Sequence, residues 1–184
     1  MSELAEKLAA GIAEMGLQVS PERQQSLLDY LALLAKWNKV YNLTAVRDPL
    51  EMVTLHLLDS LSVLSYIDGK SLLDVGSGGG LPGIVLAICL PDLQVTTIDT
   101  VQKKAIFMRQ VKGELGLGNL QVVNARVEEY EAEPFELVIS RAFSDLGLFM
   151  ALSQHLLAEG GCWLAMKGVS PQQDLEALKV KSKV

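Results

Sequence analysis

The chain has 184 residues, of which 49% are apolar, and carries a formal charge of −6 with an isoelectric point near 4.9. That length suits one domain with at most a small appendage, and the apolar share is enough to bury a sizeable core. The acidic balance argues against a general nucleic-acid coat protein, which is usually basic, but net charge averages over the surface and leaves room for a local basic face.

The first residues, MSELAEKLAAGIAEMG, lack the basic start and long apolar run of a signal peptide, and no stretch approaches the roughly 20 apolar residues of a membrane span. A cytoplasmic protein is expected. Leu4, Leu8, Ile12 and Met15 recur at helical spacing. Ser20-Pro21 then offers an N-cap followed by proline in the first helical turn, ahead of a stripe formed by Leu27, Leu28, Leu31, Leu34 and Ala35. A third helix is expected from Asp48-Pro49, with Glu51 placed for a capping box and an apolar run through Leu55, Leu58, Leu61 and Leu64 toward Ile67.

At Gly69 the pattern changes. Strand-like runs over Ser71–Val75, Gln94–Ile98, Leu120–Asn124, Phe135–Ser140 and Cys162–Met166 alternate with helical segments over Pro82–Leu90, Lys103–Leu115 and Leu146–Ala158. This alternation predicts a doubly wound, mostly parallel sheet with helices on both faces. Residues 1–68 then form an N-terminal helical region and residues 69–184 the Rossmann-like α/β domain. Pro171 to Val184 reads as one further helical stretch. Cys89 and Cys162 are far apart in apolar surroundings, with neither metal-ligand spacing nor a disulfide framework, so both are expected as buried thiols and no metal is expected.

The sequence DVGSGGGLPG, Asp74 to Gly83, follows a strand and opens a helix. Gly76, Gly78 and Gly80 let backbone approach a ligand, and Gly78, Gly80 and Gly83 also fit the dinucleotide spacing G-x-G-x-x-G. Asp74 separates the two readings. A carboxylate repels a pyrophosphate but attracts the sulfonium and amino group of S-adenosylmethionine, so a methyltransferase loop is expected. Asp99, ending the second strand, is placed to accept hydrogen bonds from ribose hydroxyls. Ala125-Arg126-Val127-Glu128, after the third strand, is placed for adenine contacts.

The fourth strand ends in ISRAF, Ser140 to Phe143. It offers neither the Asn/Asp-Pro-Pro-aromatic run of exocyclic amine methylation nor a cysteine nucleophile for pyrimidine C5. An acceptor that needs no general base, such as a purine N7, fits, with catalysis by alignment. Arg141 is expected at the site, positioning either the methionine carboxylate or the target base. KWNKVYNLTAVRDP, Lys36 to Pro49, interleaves Lys36, Trp37, Lys39, Tyr41 and Arg47 as a candidate RNA platform, equally readable as helix ends packed on the main domain. His56, Asp59 and Ser60 share one helical face, as a substrate-facing cluster or a structural His–Asp pair. A small-molecule or protein methyltransferase, an NAD-binding oxidoreductase and a non-catalytic module stay open.

KWNKVYNLTAVRD, HLLDSL, DVGSGGGLPG, VISRAF and AMKG, in this order and spacing, resemble the RsmG (GidB) family of bacterial 16S ribosomal RNA guanine-N7 methyltransferases, from about Leu17 to Gly168. The resemblance implies a class I S-adenosylmethionine-dependent methyltransferase fold. It implies S-adenosyl-L-methionine as donor and a guanine in the 530 loop as acceptor, on 16S rRNA or the small ribosomal subunit. It places Gly76, Leu81, Val127, Glu128 and Arg141 at cofactor positions and Lys167 facing substrate or cofactor. A basic face of Lys36, Lys39, Arg47, Arg126, Arg141 and Lys167 and a monomeric state are expected with it. Family members continue past AMKG with a helix and an antiparallel strand pair, so the C-terminal strand pair is expected to be missing here, exposing a sheet edge.

Overall fold

The computed structural model describes residues 2–168 and Glu176, so the helix read over Pro171 to Val184 lies outside the described residues. Two helices open the chain, α1 (Glu3–Glu14) and α2 (Pro21–Tyr41). Ser20 caps α2 by accepting from Arg23 N–H, with Pro21 in its first turn, as its sequence predicts. The helix ends at Asn42 in the left-handed region (φ 50°), which reverses the chain toward Thr44.

The single helix expected from Asp48 to Ile67 is instead broken. A short α3 (Pro49–Met52) leads into a π-helical turn, Val53–Leu58, then α4 (Asp59–Leu61) and a 3₁₀ turn, Leu64–Tyr66. The π turn shifts the register of the apolar stripe, so that Leu55, placed in the core by its spacing, is 51% exposed while His56 is buried.

The α/β alternation is present: β1 (Ser71–Val75), α5 (Gly83–Cys89), β2 (Gln94–Asp99), α6 (Gln102–Leu115), β3 (Leu120–Asn124), β4 (Phe135–Ser140), α7 (Leu146–Ser153) and β5 (Leu157–Ala165). All pairings are parallel, in the order β3-β2-β1-β4-β5. The last helix is shorter than expected and the last strand starts earlier. The chain leaves α7 through a 3₁₀ turn, Gln154–Leu156, and the strand then bends at Gly160 (φ 74°), beside a register shift against Phe135 and Leu137. Cys89 is buried as expected, but Cys162 is exposed. Among the described residues β5 pairs only with β4.

Alternation along the strands sends residues to two cores. Leu72, Val95, Leu137 and Ile139 pack with α1, α2, α5 and α6 through Leu8, Leu31, Ile84 and Phe107. Leu73, Val75, Ile98 and Val138 pack on the other face with Val127, Phe149 and Leu156. The N-terminal helices therefore share a core with the sheet. Arg23 reinforces the join by donating to Cys89 O at 2.7 Å, at the C-terminal end of α5.

Asn119 Nδ2 lies 2.9–3.1 Å from the carbonyls of Ala87, Leu90 and Leu93, closing the α5–β2 connection. Asn119→Ala would leave partly buried carbonyls short of donors. It is expected to cost about 2 kcal/mol in chemical denaturation, whereas an effect within 0.5 kcal/mol would remove this role.

Candidate functional site

In an open parallel sheet, ligands bind beyond the carboxyl ends of the strands, where the winding direction reverses. Here β2 and β4 flank β1, so the reversal lies between β1 and β4. Two cavities open there, sharing Gly76 and Ala142 as their common wall.

The first, of about 280 Å³, lies between the ends of β2 and β3 and is lined by Ile98, Asp99, Arg126, Val127, Glu128 and Phe143 among others. Phe143 is held against Phe149, ring centroids 5.4 Å apart. The second, of about 230 Å³, lies over the glycine loop, walled by Gly76 to Gly79, Leu81 and Arg141, with Leu34, Leu43 and Thr44 closing it from α2 and the segment after it. The structure thus brings Gly76, Gly78, Leu81, Asp99, Val127, Glu128 and Arg141 into one site. Gly76 (φ 70°) sits where the two cavities meet, and a side chain there would press on Ala142 at 3.0 Å.

Asp99 crosses beneath the loop. Its Oδ2 accepts from Gly78 N–H and its Oδ1 from Val101 N–H, both at 2.8 Å. Each oxygen keeps a further lone pair for a donor in the cavity. Tyr30, fully buried on α2, donates to Gly79 O at 2.7 Å and fixes the loop from behind.

Asp74 departs from its expected position. It is fully buried and lines neither cavity. Its Oδ2 accepts from Gly83 N–H at 2.8 Å, while Oδ1 has no partner among the described residues. Burial drives its carboxyl up from an ordinary 3.8 to about 7, partly offset by the hydrogen bond from Gly83. The direct contact with a cation expected of Asp74 is thus corrected to a contact with the N–H that opens α5. Asp74 thereby takes up one of the N–H groups at that helix start, which a pyrophosphate in the nicotinamide reading would use.

The expected platform divides. Lys36, Lys39, Tyr41 and Arg47 are exposed, and Arg47 donates to Asn42 Oδ1 at 2.8 Å. Trp37 is half-buried instead, its ring 5.4 Å from Phe107 on α6 and 5.1 Å from Tyr41. Its expected stacking role is corrected to packing between helices. His56 faces inward and does not pair with Asp59. Its Nδ1–H donates to Leu55 O at 3.0 Å and its Nε2 accepts from the Thr44 hydroxyl at 2.8 Å. Burial, and then the charge of Arg141, hold this imidazole below its ordinary value, consistent with that neutral form. Asp59 pairs with Arg141 at 3.1 Å, and Ser60 is buried in the core. Arg126 pairs with Glu128 at the rim of the first cavity. Lys167 Nζ donates to Ser144 O, just beyond β4. Thr44, Leu34 and Ala142 were not singled out as site residues by sequence, Leu34 being placed only in the apolar stripe of α2; an asparagine at 42, able to take the left-handed turn that carries the chain to Thr44, was the available signal.

The first cavity offers apolar walls, the Asp99 carboxylate and the Arg126–Glu128 pair at its rim, the second a glycine cradle and the Arg141 guanidinium. Together they fit a ligand with a flat apolar ring, a diol and an anionic end, which is the chemistry of S-adenosylmethionine.

A family model described as rRNA small subunit methyltransferase G (GidB) matches residues 23–184. The ribosomal RNA small subunit methyltransferase G of Methylobacillus flagellatus is 66% identical over 179 residues, covering 97% of this chain and 87% of that protein. The protein of the same name from Pseudomonas fluorescens is 53% identical over 184 residues, covering 100% and 86%. Coclaurine N-methyltransferase, solved with N-methylheliamine and SAH, shares the fold at a TM-score of 0.52 and 14% identity, over 88% of this chain and 55% of that one. An SAH-bound methyltransferase of Podospora anserina does so at 0.52 and 18%, over 74% and 61%. These two likenesses concern the fold alone, that of class I methyltransferases, whereas the sequence matches reach further. On the glycine loop, the paired cavities and these matches, the chain belongs to the rRNA small subunit methyltransferase G (GidB) family.

Proposed function

We propose that this protein methylates N7 of a guanine in the 530 loop of bacterial 16S rRNA, with S-adenosyl-L-methionine as donor and S-adenosyl-L-homocysteine as the spent product. The observation that carries the reading is the pair of cavities meeting at Gly76, one with the Asp99 carboxylate and the apolar wall of Val127, the other with Arg141. Asp99 would hold the ribose hydroxyls, Val127 and Ile98 the adenine, and Gly76, Gly78 and Arg141 the amino-acid end. Asp74 would act at one remove, by fixing Gly83 and the loop. When bound, the cofactor supplies an electrophilic methyl group on a positive sulfur.

The chain's own contribution is placement. Guanine N7 bears a free lone pair and loses no proton on methylation, so no side chain has to act as a base. The residues at the end of β4 and just after it agree with this: Ser140 is buried with its hydroxyl donating to Val75 O at 2.8 Å, and Arg141 carries a guanidinium. Neither is disposed to take a proton. Residues 1–68 serve in this reading as the RNA-facing region, with exposed Lys36, Lys39, Tyr41 and Arg47 on α2 and in the segment after it, the same stretch from which Leu34, Leu43 and Thr44 line the second cavity. The net charge of −6 makes a local cluster of cations necessary for phosphate contact. Among the described residues no helix is long and apolar enough to cross a membrane. The reading assigns the protein to the cytoplasm, acting as a monomer on the small subunit or its rRNA.

Mass-spectrometric mapping of 16S rRNA from cells with and without the protein tests this. N7-methylguanine in the 530 loop is expected in the first and absent in the second. Unchanged modification would overturn the assignment. Transfer to metabolites or proteins but not to small subunits would favour a different acceptor class.

A further inference from the structure

Arg141 is held from one side by a segment more than eighty residues earlier. Its Nη1 donates to Leu55 O at 3.0 Å and to Asp59 Oδ2 at 3.1 Å. The Leu55 carbonyl is available because of the π turn. In a regular helix it would accept from Asp59 N–H, four residues on. Here Asp59 N–H goes to Thr54 O and His56 O. Turns of this kind recur at functional sites. His56 holds the same carbonyl through Nδ1–H, and the Thr44 hydroxyl holds His56. Thr44 and Arg141 both line the second cavity. A continuous hydrogen-bonded path therefore runs from Thr44 through His56 and Leu55 O to Arg141 and Asp59.

A guanidinium has five N–H donors. Both acceptors lie on Nη1, and Nε and Nη2 have no partner among the described residues. Of the residues lining the second cavity, Arg141 alone is charged. The Asp59–Arg141 pair is partly exposed, at 46% and 28%. Such a pair adds little to stability. Its effect lies in fixing one end of a planar fork so that the other end is presented in one orientation, a geometry that matches a carboxylate.

We propose that Asp59, together with the Leu55 carbonyl released by the π turn, is a positioning group that holds Arg141 for the carboxylate at the amino-acid end of the cofactor. This rests on the cofactor reading above. Asp59 touches no reacting atom and acts through Arg141.

Calorimetric titration with two ligands tests it: S-adenosylhomocysteine, and 5′-methylthioadenosine, which lacks the amino-acid end. D59A is expected to bind S-adenosylhomocysteine about tenfold more weakly, as for loss of one charge-assisted contact, with 5′-methylthioadenosine unchanged. D59E should restore part of the loss. R141A should show the same selectivity, with the double variant no weaker than R141A alone. D59N, of equal volume, carries the test if alanine unfolds the chain. Wild-type affinity in the Asp59 variants would overturn the proposal. Equal weakening of both ligands would overturn it too, since that marks a role in folding only. Wild-type protein that binds neither ligand would remove the cofactor reading, and this proposal with it.

Discussion

Gly83→Ala is expected to destabilise the protein by about 3 kcal/mol, against the usual sign for a helix. Alanine in place of glycine normally gains up to about 1 kcal/mol in a helix, from reduced backbone entropy in the unfolded chain. At Gly83 space decides instead. An added Cβ would lie 2.7 Å from Asp74 Oδ2 and 2.7 Å from Thr97 Cγ2, with Asp74 Cβ at 3.1 Å. None of these atoms yields easily. Thr97 is a β-branched residue fully buried in the central sheet, and Asp74 Oδ2 is bonded to Gly83 N–H. Relief requires α5 to lift off β1, which would stretch that bond and disturb the loop that walls both cavities. For a chain of this length, 3 kcal/mol corresponds to a fall of roughly 10 °C in thermal midpoint, readable by calorimetry or circular dichroism. A midpoint equal to or above wild type would show that the α5–β1 contact is looser than its distances indicate.

This contact also shows where the sequence was sufficient. The sheet was legible because its central strands are short apolar runs between turn residues, and Leu72, Leu73, Val138 and Ile139 are buried as such runs require. Asp99, Val127 and Arg141 were legible as cavity-lining residues because each lies at, or within three residues of, the carboxyl end of a strand, and in a parallel sheet strand ends converge. Asp74 was legible as part of the loop, since it ends an apolar run two residues before the first glycine. Its partner was not, because the Gly83 N–H is a main-chain group that no side-chain pattern marks. The π turn was hidden for a similar reason: one extra residue in a turn shifts Leu55 outward without changing the residue types on which periodicity rests. Trp37 was ambiguous in principle, since aromatic and basic residues interleave both in RNA contacts and at amphipathic helix ends. Phe107, which decides the case, lies on a different helix. The Asp59–Arg141 pair joins residues 82 apart and needs the fold to be seen.

Asp74 sets the second large effect, a dependence of stability on pH. Its folded value of about 7 lies above the ordinary 3.8, chiefly through burial. For a raised acid the protonated form is the one that the fold favours. The associated stability is therefore fully present below about pH 4 and is lost as pH rises through about 7. Between those limits the folded protein binds more protons than the unfolded chain, so stability falls with rising pH. From pH 5 to pH 8 this group is expected to remove about 3 kcal/mol. Other carboxylates bias the same curve, so the informative quantity is the difference from Asp74→Asn, in which they are retained and this titration is deleted. The amide oxygen can still accept from Gly83 N–H, but the amide nitrogen takes the place of Oδ1, which has no partner. The protonated carboxyl of the wild type places its O–H donor at the same unpartnered position, so near pH 5 the two proteins should lie within about 1–3 kcal/mol of each other. Near pH 8 the wild type carries a buried charge instead, and the balance should shift toward the variant by about 3 kcal/mol. Urea denaturation of both proteins across that range measures the difference. Parallel curves would mean that Asp74 titrates near its ordinary value, and that the unpartnered oxygen is solvated in a way that the packing beneath the loop does not show.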